Sequence, residues 1–217
     1  MRREALDVVA NERVGAYHLI RARGLADAGA PGQFFMLDAP GCVLPRPMSV
    51  CVAARGEVGF LIDPVGRGTR ALCALDAGDR LRVLGPLGHG FRLDVERPIL
   101  LGGGIGIAPL PFLSSRLGRP PAILGFRSEL HAQAGVLVPH AEVVVEPTYV
   151  TDVLPAGHDV LACGPAPMLR AVRARAPDAQ LAWEAPMACG YGACHGCAVE
   201  IDGRLERLCV EGPVLAA

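Results

Sequence analysis

The segment PILLGGGIGIAP, residues 98–109, runs from an apolar stretch through three glycines into the start of a second apolar pattern. A short buried strand that turns on glycine into a helix is the opening unit of a parallel α/β sheet. Such a turn lets backbone amides and a helix start approach a phosphate. Downstream, apolar runs at 122–126, 141–146 and 159–162 alternate with helical patterns at 107–117 and 167–175, which predicts crossover connections. Upstream, strand-like runs at 6–10, 16–23, 33–37, 48–53, 58–62 and 80–84 are divided by Gly and Pro, with one helical piece at 67–75. Regular short strands of this kind predict a small antiparallel barrel. The texture changes after Gly85-Pro86-Leu87-Gly88-His89-Gly90-Phe91. The expected organisation is therefore a barrel domain over 1–91, an α/β parallel-sheet nucleotide-binding domain over 92–180, and a C-terminal appendage over 181–217.

That appendage contains MACGYGACHGCAVEIDGRLERLC, residues 187–209. Cys189, Cys194 and Cys197 are spaced as Cys-x4-Cys-x2-Cys and Cys209 follows later, the ligand pattern of plant-type 2Fe-2S clusters. Gly190, Gly192, Ala193 and Gly196 keep the loop free of bulk, so that N–H groups can turn toward sulfur. Asp202-Gly203 is a two-residue hairpin signal. With the turn there, Ile201 faces Arg204, Leu208 falls opposite Cys197, and Cys209 arrives beside the first three cysteines. A structural zinc site and unligated thiols stay open as alternatives at this point. His195 is expected to be a loop residue rather than a ligand, because a Rieske-type site needs two histidines. Tyr191, Val210, Val214 and Leu215 are expected to form an apolar contact surface beside the cluster.

Composition narrows the classes. The chain has 217 residues, 51% hydrophobic and 20% charged, which fits folded domains rather than a disordered chain. The net charge of -1 leaves no nucleic-acid footprint, and every one of the 21 basic residues is arginine. No apolar run reaches the ~18 residues of a membrane span, and the start lacks a signal-peptide core. A cytoplasmic location is expected. There, eight cysteines point to metal or redox use rather than disulfides.

Two glycine turns follow strands: Gly102-Gly103-Gly104-Ile105-Gly106 and Cys163-Gly164-Pro165. Both should lie at the carboxyl edge of one sheet, where open α/β sheets bind nucleotides. In the first half, Arg46-Pro47-Met48-Ser49 joins a guanidinium and a hydroxyl at a strand start, and Gly66-Arg67-Gly68-Thr69 supplies amides at a helix start. No Ser/His/Asp or paired-carboxylate constellation accompanies the glycine turns, so no catalytic side chain is assigned.

These motifs, in this order, resemble the ferredoxin-NADP reductase superfamily, and the Cys-Gly-x-Gly-x-Cys-x-x-Cys loop that follows them resembles the electron-transfer subunits of class 1B dihydroorotate dehydrogenases. The resemblance spans nearly the whole chain. It implies FAD on the barrel, with Arg46, Pro47, Met48, Ser49, Leu61, Ile62, Asp63, Gly68 and Thr69 at the flavin and its phosphates. It implies NAD as electron acceptor at Gly103, Gly104, Gly106, Cys163 and Gly164, with Cys163 near the reacting rings. A 2Fe-2S cluster would sit on Cys189, Cys194, Cys197 and Cys209. It further implies an FMN-containing dihydroorotate dehydrogenase catalytic subunit as partner, two of each in a heterotetramer, with electrons running from FMN through the cluster and FAD to NAD in pyrimidine biosynthesis. The same module could serve a hydrogenase, sulfide dehydrogenase or transhydrogenase, and a zinc-stabilised nucleotide-binding regulatory module is the reading from another class. Two positions depart from the family. Asp63 stands where relatives often carry a basic residue, and Glu146-Pro147-Thr148-Tyr149 runs almost directly into Val150-Thr151-Asp152 in place of a Thr-x-Asp-Gly-Ser loop.

Overall fold

A computed structural model describes residues 1–201 and 203–216 of the chain. Six strands, β1 (Arg2–Val14), β2 (Tyr17–Arg23), β3 (Phe34–Leu37), β4 (Arg46–Ala54), β5 (Glu57–Ile62) and β6 (Arg80–Leu87), close into a barrel in the order β1-β2-β5-β4-β3-β6. Alternation drives the closure: in β6, Leu81 and Val83 are buried while Arg80 and Arg82 face water. β1 is much longer than the apolar run at 6–10 suggests. Its first half pairs with β6 and its second with β2, and a bulge between Val8 and Ala10 bends it from one to the other. Phe35 and Phe60 meet edge to face in the barrel core, with ring centres 6.1 Å apart. Helix α1 (Arg67–Cys73) follows Gly66, whose N–H donates to the Thr69 hydroxyl at 3.0 Å.

The second half is a sheet of β7 (Pro98–Gly103), β8 (Ala122–Phe126), β9 (Glu142–Val145), β10 (Asp159–Cys163) and β11 (Gln180–Ala182), all parallel. The glycine turn after β7 does not run straight into one helix over 107–117. Gly104–Ile107 forms a 3-10 turn and α2 (Leu110–Arg116) starts afterwards, because Pro109 and Pro111 cannot donate the N–H groups a continuous helix would use. A further turn of helix, α3 (Glu129–Ala132), continues as a 3-10 segment, Gln133–Leu137, and α4 (Ala166–Arg175) precedes β11.

Beyond β11 the chain makes an excursion through the cysteines and a hairpin of β12 (Ala198–Ile201) and β13 (Arg204–Arg207), then returns as β14 (Val214–Ala216), antiparallel to β11. The sheet order is β14-β11-β10-β7-β8-β9. The cysteine segment is thus tied at both ends to the same sheet edge. In the hairpin Ile201 pairs with Arg204, and Leu208 N–H donates to Cys197 O at 3.2 Å. The register matches the one expected from the turn, although Asp202 itself lies outside the described residues.

The connection from barrel to sheet is fastened at several points. The buried Gln180 side chain accepts from Arg92 N–H at 2.7 Å and donates to Arg92 O at 3.0 Å. His89 N–H donates to Gly212 O at 2.6 Å, and Phe91 N–H to Pro31 O at 2.8 Å. Among the described residues no helix is long and apolar enough to cross a membrane.

Candidate redox site: two cavities and a cysteine loop

In the sheet order, β7 and β10 are neighbours from which the chain winds in opposite directions. Turns at such a switch point diverge and leave a crevice at the carboxyl ends of the strands. Here they are the glycine turn after β7 and the Cys163-Gly164 turn after β10, with Gly106 packed directly on the Cys163–Gly164 backbone. The barrel closes the crevice from the other side and divides it into two cavities.

The first, of about 480 Å³, is lined from the barrel by Pro47, Met48, Ser49, Leu61, Asp63 and Thr69, and from the sheet by Cys163, Trp183 and Glu184. Ile62 does not contribute its side chain, which is buried in the barrel core. Arg46 lies beside this cavity across α1. Its guanidinium packs directly on Gly68, where a Cβ would displace it from the helix start. The same guanidinium donates to Leu44 O at 2.7 Å. Burial and then the nearby Glu184 push the Cys163 thiol well above its ordinary value. Glu184 opens onto the cavity but has protein on its other sides, and this enclosure raises its carboxyl as well.

The second cavity, of about 640 Å³, shares Asp63 and Ile105 with the first and adds Gly103, Gly104, Tyr17, Arg127, His131 and Thr148. Arg127 and His131 bring a guanidinium and an imidazole to its wall. The Arg127 guanidinium donates to His131 Nε2 at 2.9 Å, and His131 Nδ1 lies 2.8 Å from Ser128 Oγ. Since Nε2 accepts, Nδ1 carries the proton in this arrangement. Tyr17 stacks edge-on against His131 at 5.5 Å. Its hydroxyl is pushed up to about 12 by burial and by Asp63, with Arg127 acting in the opposite sense, so it faces the cavity as a neutral donor.

Tyr17, Arg127, His131, Trp183 and Glu184 were not read as site residues from the sequence. A usable signal existed for three of them. Arg127, Trp183 and Glu184 stand just beyond the carboxyl ends of β8 and β11, where ligand contacts gather in such sheets.

The cysteines sit beyond the first cavity, behind Phe34 and Met187. Among the described residues no three His, Cys, Asp or Glu side chains converge as a mononuclear metal site requires. The sulfurs stand instead in two pairs. Cys197 and Cys209 are buried with their sulfurs 3.2 Å apart, and the Cys194 thiol bonds to Cys189. Two irons with two thiolates each match this arrangement, and the surrounding donors suit sulfide-rich chemistry. Gly192 N–H points at Cys209 Sγ at 3.1 Å, and Gly196 N–H at Cys194 Sγ at 3.4 Å. Burial raises the Cys189 thiol, but N–H groups of Tyr191, Cys194 and Ala193 more than offset this and bring it down to about 6. Burial, then the bond the Cys209 thiol shares with Cys197 and the charge of Cys197, drive Cys209 up to about 12, with Gly192 N–H acting in the opposite sense. Gly190 adopts φ +80°, and a Cβ on it would stand 2.5 Å from Met36 Cγ, so the loop closes only with glycine there. His195 is exposed at the loop's outer turn.

The expected apolar contact surface needs correction. Val214 and Leu215 belong to β14 and pack into the sheet, and Val210 packs against the buried cysteines. Of the four residues only Tyr191 is an exposed large side chain, at 53%.

Residues 184–217, which include all four ligand candidates, match the iron-sulfur cluster binding domain of dihydroorotate dehydrogenase B. The dihydroorotate dehydrogenase B (NAD(+)) electron transfer subunit of Geobacillus thermodenitrificans is 34% identical over 99% of this chain and 97% of its own length. The chain belongs to this family. The subunit of the same name from Bacillus velezensis is 36% identical over 86% of this chain and 85% of its own. In fold, this family member is similar to the solved structure of an NADH-dependent reduced ferredoxin-NADP oxidoreductase, with a TM-score of 0.84 at 21% identity over 97% of this chain and 87% of that one.

Proposed function

We propose that this chain is the electron-transfer subunit that connects a dihydroorotate-oxidising partner to NAD. The observation that carries the reading is the alignment of three sites in one body: the cavity at the glycine turn, the second cavity that shares its wall at Asp63 and Ile105, and the paired cysteines behind Phe34 and Met187. A flavin exchanges two electrons with nicotinamide and releases them singly, and a 2Fe-2S cluster carries one at a time. The first cavity holds the flavin ring of FAD, with Pro47, Met48, Ser49 and Leu61 against it and Arg46, Gly68 and Thr69 at the phosphates. The second holds NAD, with Gly103 and Gly104 giving close backbone approach and Arg127 a guanidinium for phosphate. Asp63 and Ile105, common to both, are where the two rings meet. Gly106 and Gly164 hold the two turns together. Cys163, whose thiol burial holds well above its ordinary value, presents a neutral group to the ring. Cys189, Cys194, Cys197 and Cys209 ligate the cluster. The partner carries FMN and oxidises dihydroorotate, and the assembly contains two of each chain. Eight free cysteines suit the reducing cytoplasm.

Mixing this chain with the FMN subunit should give dihydroorotate-dependent NAD reduction under anaerobic conditions. Either chain alone should give none. NAD reduction by this chain alone, or none from the loaded mixture, refutes the reading. Flavin released by heat should be FAD. Arg46→Ala should weaken its binding about tenfold to a hundredfold, as the loss of a charge-assisted phosphate bond of ~1.5 to 3 kcal/mol requires, measured by flavin titration of the apoprotein.

A further inference from the structure

Arg127, just beyond the carboxyl end of β8, lines the second cavity in company that does not neutralise it. Among the described residues no carboxylate forms an ion pair with it. Its holder is an imidazole. Arg127 Nη2 donates to His131 Nε2 at 2.9 Å, and Arg127 Nε donates to the same nitrogen at 3.1 Å. Both bonds use one edge of the guanidinium, so Nη1 and its two N–H groups stay available to a ligand. An imidazole that accepts in this way is uncharged, and the arginine keeps its full positive charge. A carboxylate in the same place would aim the guanidinium equally well and cancel much of its attraction for an anion.

His131 is itself fixed from several sides. Its Nδ1–H points at Ser128 Oγ, 2.8 Å away, and its backbone N–H donates to Ser128 O at 3.0 Å. The buried Tyr17 ring meets the imidazole edge-on, with centres 5.5 Å apart and planes at 72°. At the turn between β1 and β2, Gly15 adopts φ +62° and packs directly on Leu130 O of α3, where a side chain would not fit. Tyr17 and Gly15 belong to the barrel, whereas Arg127 and His131 belong to the sheet half. The barrel therefore sets the tilt of a ring that aims a charge into the cavity beside it. A free arginine at a strand end gives up rotamer freedom when it binds an anion, and one already aimed gives up less.

We propose that His131 is a positioning residue for the nicotinamide dinucleotide: it holds Arg127, aimed and with its charge intact, for a phosphate of that ligand. The inference rests on the proposed function and deepens it by naming the residue that makes Arg127 a phosphate contact. His131 acts only through Arg127, so its loss should fall on nucleotide affinity and not on the passage of electrons afterwards.

The test uses the full chain loaded with FAD and cluster. NAD affinity is measured by titration calorimetry, and NADH-driven ferricyanide reduction gives KM and kcat. His131→Phe keeps a ring against Tyr17 and removes both nitrogens. It should weaken NAD binding and raise KM for NADH about fivefold to tenfold, with kcat within about twofold, the pattern of a lost binding contact. His131→Gln, whose amide oxygen can accept from Arg127, should recover most of that loss. Arg127→Leu should weaken NAD at least as much as His131→Phe does, and adding His131→Phe to Arg127→Leu should change nothing further. Unchanged NAD affinity in His131→Phe, equal losses in His131→Gln and His131→Phe, or full additivity with Arg127→Leu would each overturn the proposal. With Arg127→Leu still weakening NAD, those outcomes leave the assignment of the cavity intact. If Arg127→Leu itself leaves NAD affinity unchanged, the cavity does not hold the dinucleotide phosphate there, and that part of the functional reading falls together with this proposal.

Discussion

The inner cysteines, Cys197 and Cys209, and the outer ones, Cys189 and Cys194, are chemically identical and lie within one short segment, yet the fold treats them oppositely. The inner pair is packed like core, against Phe34, Met36 and Leu87, and its thiols bond to each other. The outer pair is surrounded by backbone N–H groups and open to solvent on one side. One half of the site is held by packing and the other by hydrogen bonds. The two halves should therefore fail differently under mutation and pH.

The largest effect should erase the difference altogether. Replacing any one of Cys189, Cys194, Cys197 or Cys209 by Ala should abolish or cripple cluster assembly, with iron and acid-labile sulfide falling from about two each per chain. Gly190→Val should do the same, since its side chain would strike Met36 and the backbone lies at φ +80°. Two substitutions should leave the metal content intact. Cys51→Ala alters a fully buried barrel cysteine remote from the loop, and Gly196→Ala meets nothing nearer than Cys194 Sγ at 3.5 Å.

Next in size is a contrast in thiol reactivity within the cluster-free chain. With Cys189 brought down to about 6 and Cys209 raised to about 12, alkylation at neutral pH followed by mass spectrometry should mark the former quickly and the latter barely. Labelling of Cys189 should rise as pH climbs through 6 and then level off. The sign for stability follows the same shift. A thiol depressed in the fold favours the folded chain fully above its ordinary value of 9.0, and that contribution fades as pH falls toward 6. Equal labelling of the two cysteines would remove the electrostatic half of the comparison.

A smaller effect separates packing from exposure. Met36, 1% exposed, backs the inner pair, so Met36→Ala should cost about 2–5 kcal/mol of unfolding free energy through the cavity it leaves. Val43→Ala, at a 99% exposed position, should change stability by less than about 0.5 kcal/mol. Chemical denaturation of both variants distinguishes a packed wall from an exposed surface residue.

The sequence made some of this visible and concealed the rest for physical reasons. The hairpin register was legible because a two-residue turn determines every pair outward from it, down to Leu208 beside Cys197. The barrel strands were legible as short apolar runs divided by Gly and Pro, and in β6 also by alternation. β14 was not. Three residues carry no period, and their pairing with β11 spans the whole cysteine excursion, so Val214 and Leu215 read as a free apolar tail when they are sheet. α2 was misplaced because apolar spacing continues through Pro109 and Pro111 while the backbone cannot. The glycine turns were visible as turns, and Arg127 and His131 lie only four residues apart, but the edge-on contact of Tyr17 with His131 joins β2 to α3 across the two halves, and no local pattern links those two.

The amide of Gln180 binds Arg92 as a neighbouring strand would, with one bond in each direction. That clasp lies on the only covalent connection between the barrel and the sheet, and it removes a hinge. For a chain that passes electrons this matters more than it would for one that grips a substrate. Tunnelling falls off steeply with separation, so a loose joint would average fast and slow geometries and the slow ones would dominate the delay. Exchanging Gln180 for a residue unable to make both bonds would leave every ligand in place and remove one of the fastenings, beside His89 to Gly212 and Phe91 to Pro31, that hold the two halves at a fixed spacing.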